Sequence, residues 1–269
     1  MLNSPDIFGK AVADYFHNND PKNITVISED FDDDEIPTDY LFRNFEQMPT
    51  LEQKALELAS GKILDVGCCA GSHALYLQEK GKNVKAIDIS PKAIEIARLR
   101  GIKNAEVENF FNLNNQLLQD KSTRYSTENP LKFEGKSLDN KSFGGTNEKF
   151  DTILMLMNGI GIVGKLKNLT EFFTHLKTIL SANGKVLLDS SDLNYLFDRD
   201  EDGGIWVNPE EYYGELTYQL TYKGETSTPF DWLYIDFESL QLAAEMNGFS
   251  CSLIQKGEHY DYLAMLKLS

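Results

Sequence analysis

Ile63-Leu64-Asp65-Val66-Gly67-Cys68-Cys69-Ala70-Gly71 is the stretch that decides the fold. Lys62 to Val66 is a short, mostly apolar run that reads as a buried strand, and Gly67 to Gly71 is a turn of small residues. Ser72 to Lys80 has helical spacing through His73, Leu75, Tyr76 and Leu77, and Gly81 is placed to end it. Val84-Lys85-Ala86-Ile87-Asp88 repeats the strand; Ser90-Pro91 opens a helix over Lys92 to Arg100, and Gly101 closes it. Strands alternating with helices of this length specify right-handed βαβ units and a mostly parallel, doubly wound sheet. A glycine-rich turn between strand and helix is where such a sheet binds a nucleotide.

Working outward, Ala105 to Phe110 reads as a third strand, Asp151 to Met157 as a fourth and Lys185 to Asp189 as a fifth, with a helix over Leu169 to Leu180. The polar stretch 112–149 has no clear period and reads as a mobile insertion. Tyr212 to Tyr222 is rich in β-formers, so 190–231 reads as a β insertion near the substrate side. A strand near Trp232 to Ile235 should resume the regular fold. A helix over Phe237 to Met246 and a hairpin of Ser250 to Gln255 with Tyr262 to Leu268 close it. Residues 1–60 read as an N-terminal helical lid on the domain 61–269. Ser4-Pro5-Asp6 starts one helix there, and Thr50 with Gln53 forms a capping box on another. Asn23 to Ser28 is a short strand that runs into the acidic Glu29 to Glu35, a solvated loop or a flap over a cation.

The chain has 269 residues, 26 basic against 42 acidic, a formal net charge of −16. That balance argues against a phosphate-tracking surface, so a small molecule and not nucleic acid is the expected partner. Met1 to Phe16 carries no signal-peptide pattern and no window suits a membrane span, so neither secretion nor a membrane is expected. Three cysteines fit a reduced, cytoplasmic protein. Cys68 and Cys69 read as small packing residues because no second Cys or His cluster lies nearby, and no metal is expected.

The turn separates cofactors. A carboxylate ending the next strand, Asp88, can accept from both ribose hydroxyls, which by itself means only an adenosine-containing ligand. A dinucleotide loop wants G-x-G-x-x-G, but only Gly67 and Gly71 are present, with Cys69 between them. Asp65 would repel a pyrophosphate and suits a ligand with an ammonium and a sulfonium, which favours S-adenosylmethionine. With Ala86-Ile87-Asp88-Ile89-Ser90-Pro91 following, and Leu180-Ser181-Ala182-Asn183-Gly184-Lys185-Val186-Leu187 entering the fifth strand, the chain resembles the class I S-adenosylmethionine-dependent methyltransferases. The resemblance implies a Rossmann-like sheet of seven strands with the last antiparallel.

It also implies site roles. Asp65, Gly67, Cys69 and Gly71 would line the methionine end and Asp88, with Ile89, the ribose. Asn109 and Phe110 fall where the family reads the adenine, and Met157 and Asn158 where it meets the cofactor amino group or the substrate. Asn109 stands where an acid is usual, and Cys69 where a glycine is. Candidate bases are His73, Asp189, Asp192 and His259, while His17 and His175 look incidental. Arg43 could hold a carboxylate from the N-terminal segment or form a surface salt bridge. The fourth strand ends in Met157-Asn158-Gly159-Ile160 and lacks an Asn-Pro-Pro-Tyr motif, which leans toward a small-molecule acceptor. A non-catalytic cofactor-binding module and a nicotinamide-linked oxidoreductase are the alternatives.

Overall fold

In a computed structural model of the chain, residues 4–29, 31–114, 148–197 and 212–269 are described. Most of the 112–149 stretch and the acidic Asp198 to Asp202 lie outside them. The main sheet is built from β3 (Lys62–Val66), β4 (Asn83–Asp88), β5 (Ala105–Val107), β6 (Phe150–Met155), β7 (Leu180–Ser191), β11 (Phe249–Lys256) and β12 (Asp261–Leu268). Among the described residues it has seven strands in the order β11-β12-β7-β6-β3-β4-β5. β3 to β7 pair in parallel, and β12 runs antiparallel to both β7 and β11, as the sequence implied.

The period of two along β3 explains how the sheet is covered on both faces. Leu64 and Val66 pack with Ile87, Ile153, Phe172 and Leu176 in the core under α5 (Leu169–Ile179) and α6 (Phe237–Met246). Ile63, one residue before Leu64, packs with Ala74, Leu77, Ile94 and Ala97 in the opposite core, under α2 (Thr50–Leu58), α3 (Ser72–Glu79) and α4 (Pro91–Leu99).

The N-terminal segment is not purely helical. α1 (Ile7–Asn18) is followed by β1 (Ile24–Ser28) and β2 (Asp34–Ile36), and these strands join β8 (Glu215–Tyr222), β9 (Glu225–Thr226) and β10 (Phe230–Leu233) in a second, antiparallel sheet. β10 is the strand expected to resume the main fold; it pairs with β8 instead, Trp232 opposite Leu216. Spacing marks a strand but not its partner, and β8 offers a free edge beside it. Ile7, Ala11 and Val12 of α1 pack on Ala70 of the glycine turn, Ile96 of α4, and Leu220 and Tyr222 of β8. The N-terminus therefore joins the two sheets behind the turn.

Two helix starts also differ from expectation. Asp6, not Ser4, caps α1 by accepting from the Gly9 N–H. Pro49 occupies the cap of α2, and Gln53 Nε2 donates to Met48 O, so the Thr50 box does not form. A capping box does occur nearby, between Asn44 and Gln47. Ser90-Pro91 behaves as read, with Ser90 Oγ accepting from the Ala93 N–H.

Gly161, in the 3-10 segment Gly159–Val163 after β6, packs against Trp232 of β10. A Cβ there would lie 2.1 Å from Trp232 Cε2, a rigid ring atom. Gly161→Ala is expected to lower stability by about 1–3 kcal/mol through overpacking, measured by chemical denaturation.

Candidate cofactor and acceptor site

The turn after β3 is held by backbone bonds to the neighbouring strand. Gly67 and Cys68 N–H both donate to Ile87 O, at 2.9 and 3.0 Å, and Gly71 N–H returns to Cys68 O at 2.7 Å. Gly67 and Gly71 take φ of +69° and +81°, where a side chain is strained. A Cβ on Gly67 would meet nothing within 4 Å, so this part of the turn borders open space. A Cβ on Gly71 would come to 2.1 Å from Ile102 Cδ1, so its second requirement is packing. Cys69 also has positive φ, 49°, which accounts for glycine being usual at this position. Burial raises both thiols, Cys68 and Cys69, well above the usual range and keeps them protonated.

Asp88 straps the turn to α4. Its Oδ2 accepts from Cys69 N–H and its Oδ1 from Ser90 N–H, both at 2.8 Å. Burial raises its carboxyl, and those two N–H groups pull in the opposite direction. Each oxygen keeps a second lone pair for a ligand hydroxyl. Beside it Ile89 is 66% exposed, an apolar surface next to a carboxylate.

Behind the turn lies a buried chain of charges, Arg43–Glu52–His73–Asp65. Glu52, 3% exposed, accepts from Arg43 Nη2 and lies 2.6 Å from His73 Nε2. His73 Nδ1 lies 3.9 Å from Asp65 Oδ1. Burial works against charge on Glu52, but His73 and Arg43 outweigh it and hold the carboxyl below its ordinary value. Burial likewise opposes the imidazolium, but Glu52 and Asp65 hold His73 above its usual value. Asp65, 1% exposed, is raised by burial to about 6, against the pull of His73 and the Ala74 N–H. Its Oδ2 is fully buried with no hydrogen-bond partner, an acceptor that a cationic ligand group would satisfy.

Arg43, which the sequence offers as a ligand clamp or a surface pair, is a buried structural partner, 6% exposed, with its guanidinium 4.1 Å from the centre of the Tyr40 ring. Glu52 is the residue sequence reading missed. The signal was there: Glu52 shares the face of α2 that buries Leu51, Ala55 and Leu56, an acid in an apolar stripe.

The remaining candidates separate. Asn109 Oδ1 accepts from the Phe111 N–H as a local cap. Phe110 is buried in the core with its ring against Phe111, Phe172 and His175. Met157 and Asn158 both take positive φ at the end of β6. Asn158 N–H donates to Asp189 Oδ1 at 3.0 Å, its Oδ1 accepts from Ser190 Oγ and its Nδ2 donates to Leu233 O. Asp192 caps the turn Leu193–Leu196 and accepts from Tyr213 Oη. His259 is exposed in the turn between β11 and β12. Tyr40, Glu52, Met157, Asn158, Asp189 and Asp261 line a cavity of about 250 Å³ where β6 and β7 end, the edge at which open α/β sheets bind ligands.

Such a sheet, with a glycine turn flanked by Asp65 and Asp88, defines a nucleotide-binding α/β enzyme class. The methyltransferase-domain family matches residues 39–250, and the chain belongs to that family. It is 43% identical to an S-adenosylmethionine-dependent methyltransferase from Bacteroides fragilis, solved in complex with S-adenosyl-L-homocysteine, with both chains covered in full and a TM-score of 0.80. The CcbJ methyltransferase from Streptomyces caelestis shares the fold at 12% identity and TM-score 0.55, over 82% of this chain and 90% of that one. A ubiquinone biosynthesis O-methyltransferase from Xylella fastidiosa is 39% identical over 51 residues, 19% of this chain. The chain spans about a fifth of the length of the curated relatives it matches. No helix among the described residues is long and apolar enough to cross a membrane.

Proposed function

We propose that the protein transfers the methyl group of S-adenosylmethionine to a small-molecule acceptor bound where β6 and β7 end. The single observation that carries the cofactor reading is Asp65 Oδ2, a buried carboxylate oxygen without a partner beside a turn that borders open space. A pyrophosphate would be repelled there, whereas an ammonium satisfies it. Asp65 would hold the amino group, Gly67 to Gly71 would let the backbone approach, Asp88 would take the ribose hydroxyls, and Ile89 would cover the base. Phe110 and Asn109 have a smaller part in this reading, since one is core and the other a local cap. When bound, the cofactor supplies an electrophilic methyl group. The chain's own residues align the acceptor and exclude water.

Residues 1–60 would serve as the cover, through α1 behind the turn and Tyr40 over the cavity. Three unpaired cysteines support a cytoplasmic location.

Calorimetry with S-adenosylhomocysteine tests the reading. Native protein should bind it, and Asp88→Ala should bind about 100-fold more weakly, since hydrogen bonds to a charged acceptor contribute about 1.5–3 kcal/mol each. No binding by the native protein, or equal binding by the variant, would overturn it.

A further inference from the structure

The charged side chains that line the cavity at the ends of β6 and β7 carry one sign. Among the described residues no Lys, Arg or His side chain lines it, and three carboxylates do: Glu52, Asp189 and Asp261. A carboxylate- or phosphate-bearing acceptor would be repelled. The three acids are not equivalent. Glu52 is matched by Arg43 and His73, and Asp261 Oδ1 accepts the His259 N–H in its own turn. Asp189, half-buried near the end of β7, lines the cavity, and a backbone N–H, that of Asn158, holds its Oδ1 from one side. The cofactor ammonium does not call on it, because Asp65 carries the free oxygen for that group.

We propose that this cavity selects its methyl acceptor as an ammonium ion, and that the Asp189 carboxylate both binds that ion and takes its proton; the proposal rests on the methyltransferase reading above. Tyr40 lines the cavity together with Asp189; burial raises its phenol, and Glu52 and Asp189 add to the rise against Arg43. An aromatic ring beside a carboxylate favours a cation. A neutral hydroxyl would leave a desolvated charge uncompensated, whereas an ammonium compensates it. In the proton step the N–H bond of the ammonium breaks, its electron pair stays on nitrogen, and the proton goes to an Asp189 oxygen. The amine is then a nucleophile with a free pair. Burial raises the Asp189 carboxyl to about 7, Glu52 adds to the rise, and Asn158 N–H and His73 oppose it. A base with that affinity for protons is matched to work near neutral pH.

The test is calorimetry on the full chain saturated with S-adenosylhomocysteine, using cyclohexylamine, cyclohexanol and cyclohexanecarboxylate as probes of one shape and different charge. Cyclohexylamine, protonated throughout pH 6 to 8, is expected to bind, with affinity about tenfold weaker at pH 6 than at pH 8 as Asp189 takes up a proton. The carboxylate should not bind, and cyclohexanol should bind at least tenfold more weakly than the amine. Asp189→Asn keeps the acceptor for Asn158 N–H; it should bind S-adenosylhomocysteine normally and lose the amine at least tenfold. If that variant does not fold, the pH dependence of the native protein still decides. Cyclohexanol binding as well as cyclohexylamine, no amine binding, or pH-independent amine affinity overturns the proposal while leaving the methyltransferase reading intact. Failure to bind S-adenosylhomocysteine overturns both.

Discussion

Glu52→Ala lowers the stability of the protein by about 3–5 kcal/mol, the cost of breaking a buried ion pair by removing one partner. Glu52 Oε2 is the shared acceptor of two buried cations, Arg43 and His73, which are 6% and 8% exposed. Alanine leaves both with a charge and no counter-charge at that point. Arg43 keeps the bond from its Nη1 to Tyr40 O, 2.7 Å, but its Nε already lacks a partner. His73 keeps only Asp65, at 3.9 Å. For a chain of this size each kcal/mol is worth about 2–4 °C, so thermal unfolding at pH 7 should shift down by roughly 6–20 °C. Glu52→Gln, which keeps an acceptor oxygen without the charge, should fall between native and alanine. The pH dependence carries a sign. His73 is held above its ordinary value of 6.5, so its contribution is full below that pH and is lost as pH rises through the elevated folded value. The native protein should show that loss, and Glu52→Ala should not. A shift under about 2 °C would mean that water reaches the network.

The parts of this fold that were legible in the sequence are those that one segment specifies by itself. β3, the glycine turn, α3 and β4 follow from local spacing, and Ser90-Pro91 caps α4 with no help from elsewhere. The closing hairpin is equally local, Phe249 opposite Leu268 at one end. What spacing could not give is partnership at a distance. The Asn23 to Ser28 strand was visible, but its pairing with β8, Val26 opposite Leu220, joins segments nearly two hundred residues apart. The same holds within the site. Asp65 and Asp88 lie in recognisable motifs. Glu52 is an ordinary acid until α2 is packed, and only then do Arg43, His73 and Asp65 become one buried system.

Asp65→Asn stabilises the ligand-free protein by about 1–3 kcal/mol and weakens S-adenosylhomocysteine binding about 100-fold. Burial raises the Asp65 carboxyl from 3.8 to about 6. A shift of that size means that keeping it ionised at pH 7 costs roughly 3 kcal/mol, net of the pull of His73. The unfolded chain ionises Asp65 first, so the cost develops as pH rises from about 4 to about 6 and is constant above. Native and variant should therefore have similar stability at pH 4 and differ at pH 7, in urea titrations run side by side. The buried oxygen without a partner is the same group that a ligand ammonium would satisfy, so relieving the cost removes the binding energy. Saturating ligand should then offset most or all of the variant's advantage. At 100 times the native Kd the ligand stabilises the native protein by about 2.7 kcal/mol, and a variant that binds 100-fold more weakly by only about 0.4 kcal/mol. A variant that is less stable at pH 7 and binds S-adenosylhomocysteine as tightly as the native protein would show that Asp65 serves the fold and not the cofactor.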